Sequence, residues 1–453
     1  MSTLSPALLS KYDVAAPRYT SYPTVPYWTA EQPEADEWLA RVFHAFAADR
    51  EISLYIHLPF CESLCTYCGC NKHITKNHAV EEPYIAAVLK EWKIYRATLP
   101  SKPVLRELHL GGGTPTFFHP DQLRYLLETI YADVELPLGP HFSFEAHPNS
   151  TSEAHLRTLY DLHFRRVSIG VQDFDDALMQ LVNRRQTAEE VIRCTEAARR
   201  IGYHSVNYDL IYGLPRQTEA HIQRDADYLE QLRPDRIAFY SYAHVPWLKR
   251  SQTAYSEADL PTGAAKRLLY EVGRTRLETI GYREIGMDHF ALPTDTLCLA
   301  LDHGTLHRNF MGYTPMRTRL MIGLGASAIG DTWDAFAQNE KTIAGYQLAL
   351  QQDRLPLFRG HFLSTQDQRL RRHILRLMTT YQTDWFWPEE QDDDLFAALD
   401  RLEPLERDGL VKREPFRLHV TEAGRMFLRN ICMAFDAQYW KRQPQGRLFS
   451  QAV

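Results

Sequence analysis

Apolar and polar residues alternate with period two over several short runs, and longer stretches of helical periodicity separate those runs. In EISLYIHLPF (51–60), Ile52, Leu54, Ile56 and Leu58 share one face while Tyr55 and His57 share the other, which is the pattern of a strand. Further strands are predicted at LRELHL (105–110), HFSFEAHP (141–148), RVSIGVQDF (166–174), SVNYDLIYGL (205–214) and RIAFYSYAHV (236–245), with REIGMDHFAL (283–292) as a candidate seventh. Helical patterns fall between them, notably over 188–203, which runs into a glycine stop, and over 220–232. Such alternation predicts a parallel sheet with helices outside it, and six or seven units suffice to close fully or partly into a barrel. In barrels of that kind the chemistry sits on the loops after the carboxyl ends of the strands.

The alternation is bounded on both sides. Residues 1–50 are rich in Tyr and Pro around APRYTSYPTVPYW, which suits an ordered extended segment lying over a domain, a candidate lid. Beyond about residue 345, RLRRHILRLMTTY, DDDLFAALDRLEPLERDGLVKRE and RLHVTEAGRMFLRNICMAF read as helices with one short hairpin. The expected organisation is an N-terminal extension over the active site at 1–50, a catalytic α/β barrel at 51–349, and a small, mainly helical, winged-helix-like domain at 350–453.

Composition narrows the function. Hydrophobic residues make up 44% and charged residues 24% of the 453, ordinary globular usage that argues against disorder. The net charge of −6 comes with no Lys/Arg block, so nucleic acid is not an expected partner. No apolar run approaches the roughly 18 residues of a membrane span, and the N-terminus lacks a secretory pattern, so a cytoplasmic protein is expected. Of the seven cysteines, Cys61, Cys65, Cys68 and Cys70 fall within ten residues. That distribution points to metal chemistry in a reducing compartment rather than to disulfides.

Cys61-x3-Cys65-x2-Cys68 offers three soft thiolates from one loop directly after the first strand. Structural zinc usually takes two separated ligand pairs, whereas three sulfurs on one loop suit three corners of an iron–sulfur cubane and leave the fourth iron open. A closed four-cysteine cluster through Cys70 and a zinc site are the alternatives. Gly111, Gly112, Gly113 and Thr114 follow the second strand, where glycines allow backbone to approach a ligand or simply make a tight turn. Glu145, Gln172, Asp209 and Ala243 take the same strand-end place in successive units, so their side chains and backbone converge on one volume. His57 either faces that volume or is a satisfied core residue. Cys194, Cys298 and Cys432 are isolated and read as packing residues.

CESLCTYC resembles the CxxxCxxC signature of radical S-adenosylmethionine (SAM) enzymes, with Tyr67 as the aromatic residue before the third cysteine. KYDVAAPRYTSYPT, YIHLPFCESLCTYCGCNK, HLGGGTPT, GVQDF, NYDLIYGLP, YAHVP, GMDHFA, HRNFMGYT and RNICMAFD together resemble the oxygen-independent coproporphyrinogen III oxidase family, from residue 11 to about 436. GGGTP is shared by many radical SAM proteins, whereas PRYTSYPT and HRNFMGYT are more specific. The resemblance implies a radical SAM partial (β/α)6-type TIM-like barrel with a [4Fe-4S] cluster on Cys61, Cys65 and Cys68, and Cys70 is expected not to be a ligand. It assigns Tyr55, Gly112, Glu145 and Ile329 to a cluster-bound SAM, and Tyr67, Gly113, Thr114, Gln172, Arg184, Asp209 and Ala243 to a second SAM.

The implied reaction is anaerobic oxidative decarboxylation of two propionates of coproporphyrinogen III to vinyl groups, giving protoporphyrinogen IX for heme biosynthesis. It needs an external electron donor, and a monomer is expected. A tetracarboxylate substrate calls for cationic partners, and Arg18, His307 and Arg308 in the family-specific motifs are the candidates. The turn His147-Pro148-Asn149 departs from the Asp-Pro-Arg of some members. Three other readings stand beside this one: a heme chaperone on the same scaffold, whose members typically lack PRYTSYPT and HRNFMGYT; a two-SAM methylase or cyclopropanase; and a zinc-stabilised structural protein.

Overall fold

A computed structural model describes residues 6–28, 32–247, 249–442 and 449. The chain groups into two compact units, one formed by Thr29–Gly281 with Met316–Phe362, the other by Met1–Trp28, Tyr282–Pro315 and Leu363–Val453.

The first unit is built on one sheet. Its strands are β1 (Glu51–Leu58), β2 (Val104–Gly112), β3 (His141–Ala146), β4 (Arg166–Gln172), β5 (Ser205–Tyr212), β6 (Arg236–Ser241), β7 (Leu320–Leu324), β8 (Ile329–Asp331), β9 (Ala335–Asn339) and β10 (Leu357–Phe362). β1 to β6 pair in parallel in that order, and β7 pairs in parallel with the other side of β1. β8, β9 and β10 continue the sheet beyond β7 in antiparallel fashion. Helices Glu81–Thr98, Pro120–Tyr131, Glu153–Asp161, Ala188–Ile201 and Glu219–Leu232 make the crossovers that parallel pairing requires. Ala188–Ile201 forms where the pattern predicts it: Thr187 and Glu190 make a capping box, and Gly202 ends the helix at φ 114.

Among the described residues the strand order does not close on itself, yet Gln252 after β6 donates to the Tyr67 carbonyl after β1, so the sheet curls. β1 presents an apolar face, fully buried at Ile52, Leu54, Ile56 and Leu58, and a polar face at Ser53, Tyr55 and His57. All the loops that follow carboxyl ends of parallel strands lie on one side of the sheet, so the cysteine loop after β1 shares that side with the glycines at the end of β2.

Two elements differ from the expectation. The run 283–292 is two strands and not one, an antiparallel hairpin of Arg283–Gly286 and His289–Ala291 turned at Met287 with φ 47 and grouped with the second unit. The seventh parallel place is taken by β7, whose LMIGL carries no alternation because every residue is buried, as in a strand covered on both faces.

The second unit collects both ends of the chain. Helices Thr365–Thr380, Asp393–Arg407 and Leu428–Ala434 pack around Leu377, Ile374, Leu402 and Phe427, with a small sheet of Gln382–Asp384, Val411–Glu414 and Arg417–Val420 beside them. Tyr12, Tyr19 and Tyr22 of the N-terminal segment enter this same core. Arg429 donates from Nε to the Pro17 carbonyl at 3.1 Å and from Nη2 to the Ala16 carbonyl, so the early Tyr/Pro-rich motif and the late RNICMAF motif are parts of one structure. No helix among the described residues is long and apolar enough to cross a membrane.

Candidate functional site

The cysteine loop is held at both ends by backbone. Phe60–Cys61 and His73–Ile74 pair in parallel, and the His73 N–H donates to Pro59 while the Thr75 N–H donates to Cys61. Between these ties, the Thr66 N–H donates to the Val182 carbonyl at 3.0 Å and the Asn183 side chain donates to Leu64 at 2.6 Å. Cys61, Cys65 and Cys68 line one cleft together with Gly113, Thr114 and Arg184. Among the described residues no three metal-ligating side chains converge on a single point. Burial pushes the Cys61 thiol up to about 11. Cys70 is exposed.

Arg184 supports this loop from below. Its Nη1 lies 3.6 Å from the Cys65 sulfur and donates to the Tyr67 hydroxyl at 3.1 Å, while Nε donates to Gln186 at 2.7 Å and Nη2 to the Gly170 carbonyl. The Tyr67 hydroxyl therefore has a cationic partner inside the site. Gln172, next to Gly170, sits at φ 70, a left-handed conformation that costs a non-glycine residue about 1 kcal/mol or more. Burial, and then the Arg184 charge, keep the His147 imidazole far below its usual range. Lys72 donates to the Cys68 carbonyl at 3.2 Å, a contact the motif gave no reason to expect.

The glycines after β2 have packing reasons of their own. A Cβ on Gly112, at φ 117, would meet the His57 ring at 2.7 Å, and one on Gly113 would meet the Pro59 backbone at 2.6 Å. The Gly113 N–H donates to Leu58 and the Thr114 N–H to Phe60, both at 2.9 Å, so the end of β2 lies directly against the start of the cysteine loop. The Thr114 hydroxyl reaches the Cys61 sulfur at 3.3 Å.

The polar faces of β1 to β5 meet as a ladder. Tyr55 is paired in register with His109, and their rings stack at 6.0 Å. His57 Nε2 donates to the Asn71 carbonyl at 2.8 Å, which leaves Nδ1 to accept from the Tyr55 hydroxyl at 2.9 Å. Burial holds His57 below its usual range, consistent with that neutral form. His109 bonds Ser143 at 2.8 Å through Nδ1, with Nε2 3.6 Å from Glu145. Glu145 also accepts from the Gly112 N–H at 3.1 Å. Burial pushes the Glu145 carboxyl up, but the His109 contact and the Gly112 bond outweigh it and leave the group below its ordinary value. Asp209 accepts from Ser168 and Asn207, both at 2.9 Å. Burial, and then the Glu145 charge, push it up to about 6. Two carboxyl groups on one face thus differ in acidity.

Two further loops reach this side. After β6, the buried Gln252 donates to both the Ala243 carbonyl at 3.1 Å and the Tyr67 carbonyl at 3.2 Å, tying the β6 loop to the cysteine loop. Gln252 stands outside every strand and motif, and only the fold reveals it. Ile329 lies on β8 opposite Gln338, and its backbone crosses over Gly323 so closely that a Cβ there would strike it. The loop before Ile329 is fixed by the fully buried Glu91, which accepts from the Gly325 N–H at 2.9 Å, Asn339 at 2.7 Å and Tyr346 at 2.7 Å.

Arg18, His307 and Arg308 lie in the second unit. Arg18 donates to Asp288 at 2.8 Å. His307 and Arg308 are buried in the strand His307–Asn309. The Arg308 guanidinium lies 4.6 Å from the centroid of the Tyr313 ring, and its Nε and Nη1 are buried with no hydrogen-bond acceptor among the described residues. A buried arginine in that condition carries an unmet demand for an anion.

Residues 55–229 match the radical SAM superfamily. The chain is similar to the oxygen-independent coproporphyrinogen III oxidase of Pseudomonas aeruginosa, with 38% identity over 437 residues and 95% of each chain covered. To that of Escherichia coli it is 37% identical over 453 residues, covering 99% of this chain and 98% of the relative. A solved coproporphyrinogen III oxidase from Escherichia coli, described as a radical SAM enzyme, shares the fold with a TM-score of 0.89 and 36% identity, over 96% of this chain and 99% of that one.

Proposed function

The chain belongs to the oxygen-independent coproporphyrinogen III oxidases of the radical SAM superfamily, and from that membership we propose the roles of its individual residues. Its activity is the anaerobic oxidative decarboxylation of two propionates of coproporphyrinogen III to vinyl groups, giving protoporphyrinogen IX in heme biosynthesis. When bound, the [4Fe-4S] cluster and SAM supply the 5′-deoxyadenosyl radical that starts this chemistry. Each propionate gives up a hydrogen atom from its β-carbon, carbon dioxide and one further electron.

Cys61, Cys65 and Cys68 hold the cluster, and the observation that carries this assignment is their shared cleft with Gly113, Thr114 and Arg184. Tyr55, Gly112, Glu145 and Ile329 receive the SAM next to the cluster. Glu145, kept acidic, matches the ammonium of that ligand. Tyr67, Gly113, Thr114, Gln172, Arg184, Asp209 and Ala243 receive a second SAM. Arg184 has a double duty in this reading, steadying the cysteine loop through Tyr67 and Cys65 while facing the ligand. Arg308 meets a substrate carboxylate, assisted by Arg18 and His307, because its buried Nε and Nη1 lack an acceptor among the described residues. The enzyme acts as a cytoplasmic monomer and draws electrons from an external one-electron donor.

The test is an anaerobic assay with reductant, SAM and coproporphyrinogen III, with products followed by mass spectrometry. Two successive losses of CO2 with two H are expected. An intact cluster that cleaves SAM without decarboxylating the substrate would contradict the reading.

A further inference from the structure

A group of like charges stands on the same side of the sheet as the cysteine loop and has no part in the roles above. Lys341 follows β9, Arg359 lies on β10, and Lys249 follows β6. β9 and β6 sit near opposite ends of the strand order, yet Lys249 is near enough to bear on Lys341 electrostatically, so the curl of the sheet brings these loops together. Burial, then Arg359, then Lys249 hold the Lys341 amine below its ordinary value, and the adjacent Glu340 works against them. Burial holds Arg359 low as well. Like charges gathered in this way repel one another, and an anion between them relieves the repulsion.

The group is fixed to the site by short links. The Asn71 side chain donates to the Lys341 carbonyl at 2.9 Å, and the Asn71 carbonyl is the acceptor for His57 Nε2 at 2.8 Å. Arg359 Nε donates to Gln338 at 2.8 Å, and Gln338 in turn donates to the Ser327 carbonyl at 3.0 Å while standing opposite Ile329 in the sheet. Lys249 lies three residues before Gln252, whose N–H donates to the Lys249 carbonyl at 2.9 Å. Between the cations is an exposed aromatic ring: Lys341 Nζ is 4.9 Å and the Arg359 guanidinium 5.8 Å from the centroid of Phe358, which is 38% exposed. Cations around an exposed ring match a ligand with an apolar body and carboxylates at its rim.

We propose that Lys249, Lys341 and Arg359 form a carboxylate subsite that takes a propionate of the tetrapyrrole substrate, with Phe358 against the ring that bears it. This rests on the substrate assigned above. The subsite lies beside the loops that carry the cysteines and Ile329, and holding one propionate there orients the macrocycle for reaction at another.

Coproporphyrin III, the fluorescent oxidised tetracarboxylate, is the probe, titrated anaerobically into full-length, cluster-loaded enzyme. The Lys249→Gln/Lys341→Gln/Arg359→Gln variant is expected to bind it about tenfold or more weakly. The uncharged tetramethyl ester should bind both proteins alike, and Lys341→Arg should retain the affinity of the parent. With dithionite as reductant, KM for coproporphyrinogen III should rise by a similar factor while cluster iron stays at the parent level. Binding of coproporphyrin III within twofold of the parent, or equal loss of affinity for the ester, would overturn the subsite. So would a defect confined to turnover with a protein electron donor, which would mark the cations as a docking face for that donor. Failure of the parent enzyme to decarboxylate its substrate would instead strike the functional reading, and the binding titration still decides on the cations.

Discussion

The cysteine-bearing unit and the unit that joins the two ends of the chain both hold polar side chains in apolar surroundings, but they do so by different means. In the first, partners are register neighbours on adjacent strands: Tyr55 stacks on His109, and Asn207 donates to Ser168 at 2.7 Å. In the second, partners lie at opposite ends of the sequence, as with Tyr19 and Asp436 at 3.1 Å or Arg429 and the Pro17 carbonyl. Register repeats itself, so one correct strand places several polar residues at once. A knitted core repeats nothing, and each of its contacts is separate. Damage to a register-built site should therefore be local and chemical, whereas damage to the knitted unit should be structural and leave the cluster in place.

The largest effect expected separates ligand from bystander within one loop. Cys61→Ser, Cys65→Ser and Cys68→Ser should each abolish cluster assembly, while Cys70→Ser should keep iron and sulfide near the parent level after anaerobic reconstitution. Loss of iron in the Cys70 variant would make it a fourth ligand and close the cluster.

Next comes Gly112→Ala. The added Cβ meets the His57 ring at 2.7 Å in a backbone at φ 117, so a stability loss of about 2–3 kcal/mol is expected. SAM cleavage should fall with it, because the His57 contact to Asn71 is displaced. A thermal melt read beside a cleavage assay checks both, and an unshifted melt would show that the ring yields freely.

Arg429→Met tests the other side of the comparison. It removes charge-assisted bonds to the Ala16 and Pro17 carbonyls, each worth about 1.5–3 kcal/mol. Limited trypsin digestion should then cut at Arg18, and iron content should not change. Loss of iron in this variant would break the distinction between the two units.

The smallest effect is a pH slope. Burial raises Glu91 from 4.5 to about 7. Its folded form therefore holds a proton that the unfolded chain has released, and stability should fall as pH rises from about 4.5 to 7, by no more than ~3 kcal/mol. Glu91→Gln should flatten that slope in urea titrations across the window, and an unchanged slope would mean that other groups set it.

How far the sequence can be read follows the same division. Period-two alternation placed β1 to β6 and put Tyr55 and His57 on the face opposite Ile52 and Leu54, because a strand with one polar face shows its pattern directly. β7 escaped notice because LMIGL is buried on both faces and has no alternation to detect. The hairpin at 283–292 reads as one strand because its two-residue turn, Met287-Asp288, places a bulky residue and not Gly or Asn at the φ 47 position. Spacing grouped the cysteines, whereas Gln252, Lys341 and Arg359 act through contacts that only the curled sheet creates. Arg429 and Pro17 stood in two separate motifs, and nothing in either motif announces the other.

The most direct test of the central claim uses coproporphyrinogen III carrying deuterium at the propionate β-carbons, incubated anaerobically with the reconstituted enzyme, SAM and dithionite. Deuterium should appear in 5′-deoxyadenosine in step with vinyl product. Abundant 5′-deoxyadenosine without deuterium, and with the propionates intact, would contradict the account.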